Sequence, residues 1–255
     1  MRAGHEITYN VIHRLLVVAL VTVPAIRTAH AQQQEKNAYA DSGKQVERPS
    51  SELGTVQGKI SSVGPDDFIE ELLSARAVNR YEGRMSHPGP VLPYGLSEKA
   101  VVFLESDEDQ IHYLPPSNHP KLSQSNLMFR PIVLPVVVGT TVYFPNNDNL
   151  FHNVFSYSQC KEFDLGLYPQ GETKTVTFDK PGIVKVYCDI HSHMYATILV
   201  LRNPHFAVPD DKGNFRIDNL PPGTYKLNFW YGRNIVETRM ITVKAGERRT
   251  ENFSR

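Results

Sequence analysis

The chain has 255 residues, only two of them cysteine, and its 27 basic side chains balance 27 acidic ones. That length gives one or two modest domains. Neutral charge without basic runs excludes the electrostatic footprint of a nucleic-acid binder, and abundant aromatic and β-branched residues with frequent proline favour an all-β protein.

Arg2 and Arg14 flank the start of the chain, Leu15 to Val21 is apolar, and Ala29-His30-Ala31 is a small-x-small sequence. This reads as a secretory signal peptide over residues 1–31, cut after Ala31. The apolar run is shorter than the roughly twenty residues a membrane span needs. The mature protein is therefore expected in the periplasm or outside the cell, with no membrane association. Residues 32–53 are polar and read as a disordered linker.

Thr55 to Ile60 alternates like a strand. Asp66 caps an expected helix in which Phe68, Leu72 and Ala75 share a face. Residues 83–96 read as loop, Lys99 to Leu104 as a buried strand and residues 107–125 as polar loop. Strand signals then become regular: Phe129 to Val138, Thr140 to Phe144, Phe151 to Ser156, Thr173 to Phe178, Ile183 to Tyr187 and Tyr195 to Leu201. Gly139, Pro145-Asn146-Asn147-Asp148 and Pro181-Gly182 punctuate them. Short strands between such turns indicate a sandwich or barrel. After Asn203 the pattern restarts, with strands at Asn214 to Ile217, Tyr225 to Trp230 and Glu237 to Val243. Some fifty residues bury only about 60% of their surface, so this tail needs strands from elsewhere.

The chemistry concentrates in Cys188-Asp189-Ile190-His191-Ser192-His193-Met194, with His152 upstream in Phe151-His152-Asn153-Val154. One cysteine, two histidines and a weak methionine are the ligand set of type 1, or blue, copper. A thiolate at the end of a strand is held in place, and two intervening residues let the chain curl so that His191 faces the same point. Ligands that suit both oxidation states pass one electron with little rearrangement. Apolar neighbours, namely Phe151, Phe155, Ile190 and Tyr195, are expected to exclude water. In an oxidising compartment the alternative is a disulfide between Cys160 and Cys188.

Residue order from Phe129-x-Pro131 through Val138-Gly139-Thr140-Thr141-Val142, Pro145-Asn146-Asn147-Asp148 and His152-Asn153-Val154 resembles the first half of the cupredoxins, the plastocyanin-like blue copper proteins. Pro181-Gly182 and Tyr187-Cys188-x-x-His191-x-x-Met194 resemble the second half, with the short ligand loop of amicyanin-like members. The resemblance implies a Greek-key β-sandwich over residues 124–202. It implies one type 1 copper ion, held in plane by His152, Cys188 and His191 and axially by Met194. It also implies that Asn153 steadies the ligand loop by hydrogen bonds, and that the edge of His191 is the electron port. Ile190 stands where many relatives have proline, and Ala196 where glycine often follows. His193 is either an exposed loop residue or a further ligand, in which case Cys188, His152, His191 and His193 would make a zinc or type 2 copper centre.

Asp211-x-Gly213-Asn214-Phe215-x-Ile217, Leu220-Pro221-Pro222-Gly223-Thr224-Tyr225-x-Leu227 and Trp230 resemble a carboxypeptidase regulatory-like domain, a small transthyretin-like β-sandwich. Thr55-Val56-x-Gly58-x-Ile60 and Ala100 to Leu104 look like its first strands. Residues 54–115, with one helix, and 203–255 are then parts of one sandwich split around the copper domain. The alternative makes Ala100 to Leu104 a cupredoxin strand and the tail an appendage. The arrangement also resembles exported bacterial methylamine-utilisation or plastocyanin-like proteins. The expectation is a one-electron carrier, not an enzyme, serving a redox protein such as a c-type cytochrome or a dehydrogenase. No G-x-S-x-G, H-E-x-x-H or phosphate loop is present. The rival readings are a copper-handling protein and a metal-free surface or interaction protein.

Overall fold

The computed structural model describes residues 50–61, 94–106 and 113–254. The signal peptide, the linker up to residue 49, the helix from Asp66, the 83–93 part of the loop and residues 107–112 lie outside them. The all-β expectation holds. In chain order the elements are β1 (Gly54–Ser61), α1 (Leu96–Lys99), β2 (Ala100–Glu105), β3 (Ser123–Gln124), β4 (Phe129–Arg130), β5 (Val133–Val137) and β6 (Thr140–Pro145). Then come β7 (His152–Ser158), β8 (Lys161–Tyr168), β9 (Thr173–Phe178), β10 (Gly182–Tyr187) and β11 (Tyr195–Leu201). The last are β12 (Phe206–Ala207), β13 (Asn214–Leu220), β14 (Gly223–Tyr231), β15 (Asn234–Val243), β16 (Arg248–Thr250) and β17 (Phe253–Ser254).

The middle strands build one sandwich. A five-stranded sheet runs β5-β11-β10-β7-β8. Opposite it, β6 pairs with β9, and the β3–β4 hairpin adjoins β6 through bridges at Lys121–Tyr143 and Gln124–Asn146. Period-two alternation sends Val142 and Phe144, Val176 and Phe178, and Val184 and Val186 into the shared core. Each such side chain contributes about 1.5–3 kcal/mol on burial. β8 was not anticipated. It forms a hairpin with β7, and Phe163 and Leu165 pack on the core while Glu162 and Asp164 face solvent.

The second sandwich is built from both ends of the chain. β1 runs antiparallel to β13 and parallel to β16 and β17. β2 lies between β12 and β14, and β14 pairs with β15. Strands that precede the middle sandwich thus complete the sheets of the tail. Val56, Ile60, Val102 and Leu104 share a core with Phe215, Leu227, Phe229 and Phe253. β1 also explains Gly58: a Cβ there would lie 1.7 Å from the Glu251 carbonyl oxygen.

The two sandwiches meet over a third cluster. Val101 and Phe103 of β2 and Trp230 of β14 pack against Met128, Ile132, Val133, Tyr195 and Leu199. Alternate residues of β2 and of β11 therefore face two different cores, which is why both strands read as unbroken apolar runs. The salt bridge from Arg130 to Glu98 of α1, at 2.6 Å, adds a polar tie at the same junction.

Candidate metal centre

His152 opens β7 and Cys188 immediately follows β10. These strands are antiparallel neighbours in register at Phe155–Tyr187, so the start of one and the end of the other lie together. The chain then turns back: the Met194 N–H donates to the His191 carbonyl at 2.9 Å, closing the loop that carries His191. Three donor atoms converge. Cys188 Sγ lies 3.8 Å from His152 Nδ1 and 3.6 Å from His191 Nδ1, and the two nitrogens are 3.1 Å apart. A point about 2 Å from each atom lies inside that triangle, close to the bond lengths of imidazole nitrogen and thiolate sulfur to a first-row metal ion. The residues therefore fit a trigonal Cys/His/His site of the copper type.

Electrostatics prepare these side chains. Burial pushes the Cys188 thiol up, but hydrogen bonds from His152, His191 and the backbone N–H groups of Asn153 and His191 outweigh it and bring it down to about 6. Burial pushes His152 down, yet hydrogen bonds to Asp148 and Cys188 raise it to about 9. His152 Nε2 lies 2.9 Å from Asp148 Oδ2, which leaves Nδ1 as the atom aimed at the centre. Asp148 itself is held below the usual carboxylate range: burial raises it, and hydrogen bonds from His152 and from the backbone of Leu127 and Asn126 more than offset that.

The turn before β7 is what places Asp148. Fully buried Asn146 donates through Nδ2 to the Leu150 and Tyr168 carbonyls and accepts from the Asp148 N–H. The sequence marks Pro145-Asn146-Asn147-Asp148 only as a turn. The carboxylate four residues before His152 was the available signal for its second role.

The other expected site residues are placed as follows. Met194 is buried in the same core cluster as Cys188. His193 is neither an exposed loop residue nor part of the converging triad: it is buried, and its Nε2 donates to the Leu127 carbonyl at 3.0 Å. The Asn153 side chain donates to Asp164 at 2.6 Å on β8, so its link to the ligand loop is the backbone N–H on the Cys188 sulfur. Phe151 and Ile190 do not seal the site as expected. They are 58% and 45% exposed, because each faces outward from the residue next to a ligand. Both cysteines are free. Cys160 sits in the turn beyond the far end of β7, roughly 20 Å of strand from His152, and its Sγ donates to the Ile183 carbonyl.

Residues 119–201 match the model of the copper binding proteins of the plastocyanin/azurin family. That segment holds the whole triad, and the copper expectation holds with it. Residues 206–251 match a different model, polysaccharide lyase family 4, domain II, in place of the carboxypeptidase regulatory-like resemblance. No curated protein matches the chain. Among solved structures, a Cu-containing nitrite reductase from Thermus scotoductus SA-01 is 30% identical over 35% of this chain, with a TM-score of 0.32. The match spans only 23% of that reductase. A purple cupredoxin from Nitrosopumilus maritimus is 24% identical over 33% of this chain and all of its own, with a TM-score of 0.30. A reduced amicyanin variant is 17% identical over 39% of this chain and 98% of its own, with a TM-score of 0.32.

Proposed function

We propose that this chain is an exported type 1 copper protein that carries single electrons and is not an enzyme. The observation that carries the reading is the near-equilateral triangle of one sulfur and two nitrogens, built by a strand start, a strand end and one tight loop. Copper, when bound, supplies a one-electron couple. The protein's contribution is to keep the donors still. His152 and Cys188 are buried and hydrogen-bonded, so they hold one geometry in both oxidation states. Met194, buried in the same core cluster as Cys188, would be the weaker fourth residue holding the ion in this reading. His191 is only half-buried and gives the site its electron port. Exposed Leu150, Phe151 and Ile190 lie next to the ligands in sequence and offer an apolar surface to a redox protein such as a c-type cytochrome or a dehydrogenase. The second sandwich, whether regulatory-like or lyase-like in kinship, acts as a rigid spacer. The basic start, apolar run and small-x-small sequence of residues 1–31 support a periplasmic or secreted location.

Adding Cu(II) to the metal-free protein tests this. An intense band near about 600 nm, from thiolate bonded to copper in a blue site, is expected. Cys188→Ser should abolish it and Cys160→Ser should leave it. A colourless wild type, or bleaching by Cys160→Ser, overturns the assignment. Stopped-flow oxidation against a c-type cytochrome then separates a carrier, which reacts rapidly, from a copper store.

A further inference from the structure

The β3–β4 hairpin turn, Ser125 to Met128, has an unusual backbone. Asn126 and Leu127 both take left-handed conformations, with φ of 56° and 58°. A two-residue hairpin of this kind prefers glycine at its second position. A leucine held there is strained and persists only where surrounding contacts dictate it. Those contacts lead to the metal centre from two sides. The Leu127 N–H donates to Asp148 Oδ2 at 2.9 Å, and the Asn126 N–H donates to Asp148 Oδ1 at 2.5 Å. The same Asp148 Oδ2 accepts from His152 Nε2. The Leu127 carbonyl accepts from His193 Nε2, in the loop that carries His191.

Resting on the copper reading above, we propose that Leu127 is a clamp whose N–H and carbonyl tie the β7 ligand and the loop ligand to one fixed point, with Asp148 and His193 as its positioning residues. His152 and His191 come from chain segments 39 residues apart, and β7 and β10 align them only along the strands. The turn fixes the remaining freedom, namely the ring orientation of His152 and the height of the 188–194 loop. The anionic partner has a second effect. A carboxylate hydrogen-bonded to a ligating imidazole strengthens it as a donor, which favours the more highly charged Cu(II) over Cu(I).

The test is a double-mutant cycle read by Cu(II) affinity, the visible spectrum and the reduction potential. Asp148→Asn can satisfy only one side of its present network. It should lower Cu(II) affinity by about 10–100-fold, as outer partners of ligands typically do. It should also raise the potential, by about 59 mV for each tenfold by which Cu(II) loses more than Cu(I). His193→Ala should shift the position and intensity of the long-wavelength band, and His193→Gln, whose amide donates to the same carbonyl, should restore both. The double variant Asp148→Asn/His193→Ala should cost less than the two single effects combined, because both act through one residue.

Additive effects overturn the clamp. So does a blue wild type whose single variants keep its spectrum and potential. Failure of His193→Gln to rescue shows that His193 acts in some way other than by donating to Leu127, and equally overturns it. A wild type that never turns blue instead removes the copper reading on which the clamp rests.

Discussion

Copper uptake should release close to one proton at pH 7.5. In the metal-free site the depressed Cys188 thiol, at about 6, is already a thiolate, and His152, raised to about 9, still carries its proton. Ligation needs neutral imidazole and thiolate, so the proton on His152 must leave. The sign follows from competition between proton and metal: affinity falls as pH falls. Each displaced proton changes the apparent association constant about tenfold per pH unit. Cu(II) affinity should therefore drop roughly fiftyfold from pH 9 to pH 7 and level off above 9. An indicator dye in weakly buffered solution counts the protons, and competition with a chelator of known proton dependence gives the slope. Asp148→Asn removes a hydrogen bond that raises His152, so proton release at pH 7.5 should shrink. Two protons per copper would mean that the thiol is not acidified. None, with full band formation, would mean that His152 is not held as imidazolium. Either result refutes the electrostatic account of the site.

Trp230 packs across the junction between the sandwiches, with Nε1 donating to the Gly232 carbonyl at 2.9 Å. Trp230→Ala should cost about 3–5 kcal/mol in urea unfolding, followed by circular dichroism and the copper band together; a loss below about 1 kcal/mol would mean the junction is not packed. Gly58→Ala drives a methyl into the Glu251 carbonyl and should cost at least about 2 kcal/mol while the protein keeps its colour; an unchanged melting temperature would contradict the close approach of β1 to the C-terminal strands. Burial holds His205 down to about 4, so its contribution to stability is present above the unfolded value of 6.5 and is lost as pH falls towards 4. Between pH 7 and 4.5 this amounts to about 2–3 kcal/mol. His205→Gln should lose less on acidification, and an identical loss in both proteins would rule the residue out as the cause.

The metal centre was legible where chemistry is carried by residue type and order. Cys188 and His191 lie on one loop and His152 opens a recognisable strand, so topology had little freedom to separate them. Asp148 and His193 were not legible. Both act through a backbone that is remote in sequence, and no spacing rule connects an aspartate in one turn to Leu127 in another. The sequence suggested solvent exposure for His193, yet the carbonyl that receives it makes burial affordable. Phe151 and Ile190 were misjudged for the opposite reason. Apolar type says nothing of facing, and these two side chains, each adjacent to an inward-pointing ligand, point outward. Among strands, β2 stood out because both of its faces are buried, although its partners β12 and β14 lie about a hundred residues later. β8 was hidden by Gly166 and Gly171 and by the polar turn at Cys160, which interrupt its alternation of Phe163 and Leu165. β16 is three polar residues, Arg248-Arg249-Thr250, held by β1 rather than by any preference of its own.

The threading of the chain sets an order of assembly. During synthesis β1 and β2 emerge first but cannot yet close their sheets, because among the described residues every strand they pair with follows residue 205. The middle sandwich has all its strands by Leu201, some 30 residues before β14 ends at Tyr231, and at roughly 5–20 residues per second those residues take about 1.5–6 s, time for it to fold before the second sandwich can close. The ligand cage can thus form while its host is still half made. The apolar backs of Val101 and Phe103 then have a finished surface to rest on before the last strands arrive to seal their other side.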